Sequence, residues 1–204
     1  MKDMVLKAQN TALVIVDMEN EFCKPWGKYY IGPEVEAVIH NNEYILSTCR
    51  EKGVFVIFVR SVRYPDNPMF TRFGQGHYLM DGTNGPVIVE ELTPRRGEIV
   101  VDKQTHDCFY GTTLDSVLDQ FDIHPETHTV VVTGVTSNVC VYHAVLGFHV
   151  RHYHTVLPLD CTLGVSGAED FVISQLSSKA YSYNVILTRL NQISVIDDLA
   201  VGKT

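Results

Sequence analysis

The sequence predicts an α/β fold with three layers, α/β/α, around a six-stranded parallel sheet. Short apolar runs rich in β-branched residues alternate with longer segments of helical periodicity. Apolar runs without polar alternation are typical of strands buried on both faces of a parallel sheet. Strands that alternate with helices favour a Rossmann-like sheet of order 3-2-1-4-5-6. The 204 residues suit one domain, which we expect to span residues 1–204.

Six apolar runs predict the strands, and most of them end at a polar or turn residue. In chain order they are Ala12–Val16, Val54–Val59, Ile99–Val101, Thr129–Thr133, Thr155–Leu159 and Val185–Leu187. The predicted helices lie between and after them, at Pro33–Lys52, Thr112–Phe121, Asn138–His149, Gly167–Tyr181 and Ile193–Leu199. Pro33 suits a first helical turn, and Gly53 suits the position just after a last turn.

Two segments are predicted to be irregular. The stretch Met18–Tyr30 is rich in aromatic and turn residues, which indicates a loop. Residues 60–97 carry nine Gly and Pro residues and are long for a connection in a compact domain, so we expect a lid or a subunit contact there, with short structure around Val87–Glu91.

The composition limits which kinds of binding partner and which cellular location we expect for the protein. The chain is 45% hydrophobic and 20% charged with a formal net charge of −8, so it is neither disordered nor fibrous, and no nucleic acid or membrane partner is expected. The first apolar run is broken by Asp17, which makes it too short for a signal peptide. Five cysteines without a CxxC pair indicate reduced thiols, so a cytoplasmic location is expected.

One cysteine stands where chemistry is expected. The strand Thr129–Thr133 runs into Gly134, small polar residues follow at 136–138, and Cys140 begins the next apolar helix. The thiol is therefore predicted in the first turn of a helix, beyond the carboxyl end of a buried strand. Free N–H groups and the helix dipole favour thiolate there.

Two further polar residues stand at or just beyond strand ends. Asp17 follows the first strand and Lys103 follows the third. In open parallel sheets, ligands bind beyond the carboxyl ends of the strands, where the strand order reverses. In the order 3-2-1-4-5-6, the strands that carry Asp17 and Cys140 are neighbours, and Lys103 could reach in from two strands away. An acid, a cation and a thiol from separate strands indicate a catalytic site.

Three segments carry a family resemblance: ALVIVDMENEF, VDKQTHDCFYGTTLD and VVVTGVTSNVCVYHAVLGFHVR. Together they resemble the signature blocks of the isochorismatase-like cysteine hydrolases, a group that includes nicotinamidases, N-carbamoylsarcosine amidase, and ureidoacrylate and biuret amidohydrolases. The resemblance covers nearly the whole chain. It implies a catalytic triad of Asp17, Lys103 and Cys140 and a cis peptide bond between Val135 and Thr136. It also implies a homo-oligomer, a dimer or a tetramer.

The predicted reaction is hydrolysis of a small amide, ureide or carbamoyl compound through a thioester. Asp17 would accept the thiol proton of Cys140, and Lys103 would stabilise the negative charge. The backbone N–H groups of Thr136 and Cys140 would hold the oxyanion. No cofactor is needed for this chemistry, and none is expected.

Other residues are candidates for the walls of a substrate pocket, with core packing as the alternative for each. They are Phe22, Trp26, Tyr29, Phe109 and Tyr110. Arg60, Arg63 and Arg72 could bind a substrate carboxylate, although exposed loop charges are the simpler interpretation. His106 either lines the pocket or is exposed.

No metal site is expected. The metal-binding nicotinamidases carry an Asp-x-His motif after the second strand, whereas Asp66 has no histidine two residues later. The cluster of His149, His152 and His154 is interpreted as a solvated edge.

Three other functions remain open at this point. An isochorismatase-type enzyme would cleave a vinyl ether, but such members lack the cysteine. A catalytically silent binding protein would not need the triad. A redox-sensing protein would need a second thiol near Cys140, and the sequence does not place one.

Overall fold

The computed structural model describes residues 3–197. Its main sheet has seven strands: β2 (Thr11–Val16), β3 (Phe55–Ser61), β4 (Ile99–Lys103), β5 (Thr129–Val135), β6 (His154–Pro158), β7 (Thr162–Leu163) and β8 (Val185–Thr188). Six strands follow one path, β4-β3-β2-β5-β6-β8, and all pairings are parallel. This confirms the predicted strand order. The seventh strand, β7, was not predicted and pairs with β5 beside β6.

A second, smaller sheet joins the two ends of the described chain. Strand β1 (Met4–Lys7) pairs in parallel with β9 (Ile193–Ile196). The prediction of a helix over Ile193–Leu199 was therefore wrong for residues 193–196, and residues 198–199 lie outside the described part. The segment is too short to decide between helix and strand by periodicity alone, and its partner strand is far away in sequence.

Six α-helices accompany the strands: α1 (Asn20–Cys23), α2 (Val35–Lys52), α3 (Pro68–Thr71), α4 (Leu114–Gln120), α5 (Cys140–Val150) and α6 (Ala168–Leu176). Four single turns of 3₁₀ helix lie at Ala8–Asn10, Glu90–Leu92, Leu159–Cys161 and Leu190–Gln192. The short α1 lies inside the segment that was predicted to be a loop. No helix within residues 3–197 is long and apolar enough to cross a membrane.

The helices cover both faces of the main sheet. Residues of α4, α5 and α6 pack in one apolar cluster with Ala12, Val14 and Val16 of β2. Residues of α2 pack in a second cluster with Leu13 and Ile15 of the same strand. Successive strand residues point to opposite faces of the sheet, and helices cover both faces. Every position of β2 is therefore buried, which explains its unbroken apolar run.

Candidate active site

The strand register brings the carboxyl ends of four strands to one edge of the sheet. Val16, the last residue of β2, pairs with Gly134 of β5 and with Val59 of β3. At the next position outward, Ser61 of β3 pairs with Lys103 of β4. The residues that follow or end these strands therefore meet, as the predicted order requires.

Lys103 is the centre of the contacts at this edge. Its ammonium lies 2.8 Å from Asp17 Oδ2 and 3.5 Å from the Sγ of Cys140. It also donates to the carbonyl of Thr105 at 3.1 Å. The side chains of Lys103 and Asp17 are both closed to solvent, and Cys140 is only 6% exposed. The three residues predicted to act together form one buried cluster.

Ser61 completes this cluster and was missed by the sequence reasoning. Its hydroxyl lies 2.8 Å from Lys103 Nζ and 3.1 Å from Asp17 Oδ1. It bridges the two charged groups because β3 lies between the strands that carry them. The available signal was weak: a small polar residue that ends an apolar strand.

The backbone on both sides of the cluster has unusual conformations. Asp17 has a φ of 52°, in the left-handed region that only a few residue types adopt readily. Gly134 has a φ of 110°, and a Cβ there would overlap the carbonyl oxygen of Val16. Only glycine allows β2 and β5 to approach this closely just before the cysteine turn.

The turn before Cys140 leaves three N–H groups, those of Thr136, Asn138 and Cys140, without a backbone acceptor within residues 3–197. The peptide bond between Val135 and Thr136 is cis. Backbone hydrogen bonds in the turn use the N–H groups of Ser137, Val139 and Val141, and within residues 3–197 those of Thr136 and Cys140 have no backbone acceptor. Helix α5 begins at Cys140, so its dipole adds positive potential at the same place. The N–H groups of Thr136 and Cys140 are the two that were expected from the sequence to hold the oxyanion.

The electrostatics of Cys140 differ from the expectation of a resting thiolate. Burial, followed by the negative charge of Asp17, raises the pKa of Cys140 well above its usual value, and Lys103 offsets only part of this. Burial also acts to lower the pKa of Lys103, but Asp17 and Cys140 outweigh it and the net shift is upward. The resting site therefore pairs a charged lysine with the Asp17 carboxylate and a neutral thiol.

His106 also contacts the thiol of Cys140. Its Nδ1 lies 3.6 Å from the Sγ of Cys140. Burial, with the positive charges of Lys103 and Arg63, lowers the pKa of His106. A neutral imidazole therefore lies beside the cysteine, and the structure places His106 in the site rather than on the surface.

A second carboxyl group, that of Glu19, lies beside the cluster. Glu19 is fully buried, and neither of its carboxyl oxygens has a hydrogen-bond partner. Burial and the neighbouring charge of Asp17 raise the pKa of Glu19 well above its usual value, although Lys103 acts in the opposite direction. Burial therefore favours the neutral form of Glu19 beside Asp17.

The five predicted pocket residues separate into different environments. Phe109 lies in the core, with its ring 4.9 Å from Phe148 and over the guanidinium of Arg151, so it is a packing residue. Tyr110 is exposed on the surface. The other three, Phe22, Trp26 and Tyr29, all lie near Tyr78.

Tyr78 is a neighbour of the site that the sequence reasoning did not single out. Its ring lies 4.4 Å from that of Tyr29, and it packs in a small cluster that Phe22 also contacts. With Trp26 it lines a cavity of about 350 Å³. Burial raises the pKa of Tyr78, and the positive charge of Arg63 acts in the opposite direction. None of Asp17, Lys103 and Cys140 lines this cavity.

The histidine cluster in the second half of the chain is not a solvated edge throughout. His149 is buried, with Nδ1 2.6 Å from the side-chain oxygen of Asn184 and its ring against Tyr181 and Tyr183. His152 and His154 are exposed. Within residues 3–197, no group of three or more His, Cys, Asp or Glu side chains is arranged to hold a metal ion.

Comparison with known proteins fits this arrangement. A sequence model of the isochorismatase domain matches residues 11–189, which include all three residues of the cluster. The chain belongs to the isochorismatase family. It is 31% identical to the ureidoacrylate amidohydrolase RutB of Pantoea ananatis, over 73% of this chain and 68% of that protein.

Solved structures of the family share its fold. N-carbamoylsarcosine amidase from Thermoplasma acidophilum superimposes with a TM-score of 0.73 at 27% identity, covering 95% of this chain and 99% of that one. An isochorismatase-like hydrolase from Alkaliphilus metalliredigens gives a TM-score of 0.79 at 23% identity, covering 90% and 96%. The resemblance predicted from the three sequence segments is confirmed.

Proposed function

We propose that this protein is a cysteine amidohydrolase that cleaves a small amide, ureide or carbamoyl compound through a thioester intermediate. Amide hydrolysis is supported by the family and by relatives that are a ureidoacrylate amidohydrolase and an N-carbamoylsarcosine amidase. The observation that carries the mechanism is the contact of Lys103 with both Asp17 and Cys140 in a buried cluster. The lysine cation can therefore stabilise a negative charge on Asp17 or on the sulfur of Cys140, and neither group has to move.

The first half of the reaction forms the acyl-enzyme. Asp17 takes the thiol proton of Cys140 as the sulfur attacks the carbonyl carbon, and the negative charge that leaves the carboxylate appears on the substrate oxygen. The N–H groups of Thr136 and Cys140 bind that oxygen, a contribution typically worth about 10²–10³ in rate per donor. The tetrahedral intermediate then collapses, Asp17 gives its proton to the leaving nitrogen, and an amine or ammonia departs.

The second half regenerates the thiol. Water attacks the thioester carbonyl while Asp17 accepts one of its protons, and the same N–H groups hold the new oxyanion. The C–S bond then breaks, the acid is released, and the proton returns from Asp17 to sulfur. Lys103 and Ser61 keep the Asp17 carboxylate oriented through both halves.

The resting thiol form of Cys140 is compatible with this scheme. A thiol that ionises only when substrate is bound needs a base next to it, and Asp17 is the carboxylate in the cluster. We place the reaction in the cytoplasm because all five cysteines are free thiols. The vinyl-ether and silent-protein alternatives give Cys140 no role in this buried arrangement.

The test is an ammonia-release screen over small amides and ureides with wild type, Cys140→Ala and Cys49→Ala. Cys49 is a buried thiol of α2 on the other face of the sheet, so it controls for loss of a thiol. Wild type and Cys49→Ala should release ammonia from at least one compound, and Cys140→Ala should lose at least about 10⁴ of that rate. Full activity in Cys140→Ala would disprove the mechanism, and no release by wild type would favour a silent protein.

A further inference from the structure

Arg63 is a buried cation that has no ion-pair partner within residues 3–197. It follows the end of β3 and is only 2% exposed, which places it among the largest fully buried side chains of the described residues. Its Nε and Nη1 atoms have no hydrogen-bond acceptor. None of the ion pairs found within residues 3–197 includes it. A buried guanidinium with unused donors is costly, so an anion that pairs with it would be strongly favoured.

The backbone and one aromatic ring fix the position of Arg63. Its N–H donates to the carbonyl of Leu79 at 2.8 Å, and its own carbonyl accepts from Asp81 at 2.9 Å. The guanidinium carbon lies 4.0 Å from the ring centroid of Tyr78. The ring covers one face of the guanidinium, so a ligand would approach its edge, where the donors point. The group is held in place before any ligand binds.

Arg63 also lies close to the reactive cluster. The hydroxyl of Ser61 donates to Asp17 and accepts from Lys103. Arg63 comes two residues after Ser61, and the chain there is still extended, because Arg63 forms a β-bridge with Met80. Residues two apart in extended chain point to the same side, about 7 Å apart. The charge of Arg63 reaches His106, whose imidazole touches the sulfur of Cys140.

The other two arginines of this segment are different. Arg60 already pairs with Asp102 at 2.6 Å, and Arg72 is exposed. The simpler interpretation of exposed loop charges therefore suits Arg72 alone, because Arg60 is a half-buried residue of β3 and Arg63 is buried.

We propose that Arg63 binds a carboxylate group of the substrate, so that the substrates are small amides that also carry a carboxylate a few atoms from the scissile carbonyl. This inference rests on the proposed function, because the same bound molecule presents its carbonyl to Cys140. A carboxylate supplies acceptors for the unused donors of Arg63. Arg63 would select the substrate and orient it without taking part in the chemistry.

Alkylation of Cys140 by two small reagents of different charge tests this directly. Iodoacetamide is neutral and iodoacetate carries a carboxylate, but both react with the same sulfur. The ratio of the iodoacetate rate to the iodoacetamide rate, measured by mass spectrometry of the Cys140 peptide, should be at least about tenfold higher in the native protein than in the urea-unfolded chain. Arg63→Gln should remove this preference, so that its ratio falls to that of the urea-unfolded chain.

Two further variants complete the design. Arg63→Lys keeps the charge and the apolar stem, so it should retain part of the preference and covers the case in which Arg63→Gln does not fold. Arg72→Gln removes an exposed charge from the same segment and should behave like wild type. An unchanged ratio in Arg63→Gln, or an equal loss in Arg72→Gln, would overturn the proposal.

A binding measurement separates this inference from the proposed function. Succinamate and its neutral diamide, succinamide, differ only in the carboxylate. Succinamate should raise the melting temperature of Cys140→Ala and succinamide should not, and Arg63→Gln in the same background should abolish the difference. If wild type releases no ammonia from any compound but succinamate still gives the larger shift, the proposed reaction is disproved and the carboxylate site is retained. Equal shifts from the two compounds would disprove the carboxylate site.

Discussion

At the scale of single residues, the site is a set of buried charges that stabilise one another. Asp17 and Lys103 form an ion pair whose side chains are both closed to solvent, and Ser61 contacts both. Breaking such a pair from one side leaves the remaining charge unpaired, which costs more than the pair contributes as a whole. The cluster therefore couples stability to catalysis.

Replacement of Lys103 by Met should lower the free energy of unfolding by about 3–5 kcal/mol, because the Asp17 carboxylate stays buried without its cation. Lys52→Met is the matched control, since Lys52 pairs with Asp197 on the exposed surface, where the loss should be about 0–1 kcal/mol. Urea unfolding monitored by circular dichroism at pH 7 measures both. Equal losses in the two variants would show that the buried ion pair contributes no more to the free energy of unfolding than the exposed one.

Glu19 should make stability depend on pH. Its raised pKa in the folded protein means that, above the unfolded pKa of about 4.3, the unfolded chain loses a proton that the folded protein retains. Stability contributed by this group is thus present below that pH and is lost as the pH rises through the folded pKa. Glu19→Gln removes the titration, so it should be more stable than wild type at pH 8 by about 1 kcal/mol or more.

The advantage of Glu19→Gln should shrink or reverse at pH 4, where the wild-type carboxyl is mostly protonated in both states. Glu43→Gln, at an exposed position of α2, should follow the wild-type pH profile. Parallel profiles for wild type and Glu19→Gln would show that Glu19 does not hold its proton in the folded protein.

At the scale of elements, the approach of β2 to β5 sets the geometry of the cysteine turn. Gly134 pairs with Val16 in register, and there is no room for a side chain between the two strands. Helix α5 begins six residues further on, with the thiol in its first turn. A change in the spacing of these two strands would therefore move the N–H groups that are proposed to bind the oxyanion.

Gly134→Ala should prevent normal folding or lower the free energy of unfolding by more than about 3 kcal/mol, because a methyl group would overlap the Val16 carbonyl. Gly53→Ala is the matched control. Gly53 also has a positive φ, at 71°, but has open space around its Cβ position, so it should lose only about 1 kcal/mol. Thermal unfolding of the two variants checks this, and similar losses would rule out the steric explanation.

At the scale of the whole molecule, the long segment 60–97 contributes to the site as well as to the surface. It supplies Arg63 and Tyr78 to the surroundings of Cys140, while Phe73 is 66% exposed on its outside. An exposed large aromatic side chain in such a segment suits a contact with a second copy of the chain. We therefore propose a homo-oligomer, a dimer or a tetramer, with this segment at the contact.

Light scattering coupled to size exclusion should give a mass of two or four times 22.9 kDa for wild type. Phe73→Glu should reduce the mass towards that of the monomer, because a charge would be buried at the contact. Tyr44→Glu, at a similarly exposed position on α2, should not. A monomeric wild type would contradict the oligomer, and an unchanged mass in Phe73→Glu would place the contact elsewhere.

Prediction from sequence worked where a pattern is local and failed where a partner is distant. The strand order followed from the alternation of strands with helices, which favours a Rossmann-like sheet. Asp17, Lys103 and Cys140 were singled out because each stands at or just beyond a strand end. The terminal strand β9 was predicted to be a helix because its partner, β1, lies at the opposite end of the described chain. Nothing near β9 in the sequence indicates that pairing. Phe109, a candidate for the pocket, packs in the core because Gly147 of α5 leaves room for its ring.

By itself, the sequence determined the α/β fold, the family and the three residues that meet at the strand ends. The fold follows from the hydrophobic periodicity of the chain. The family and the three residues follow from three short segments and from their positions at the strand ends. Only the tertiary structure decided the protonation of Cys140, the bridging position of Ser61 and the burial of Glu19 and Arg63. Each of these depends on the solvent and charges that other segments bring to a residue, and burial can reverse the effect of a helix start on a thiol.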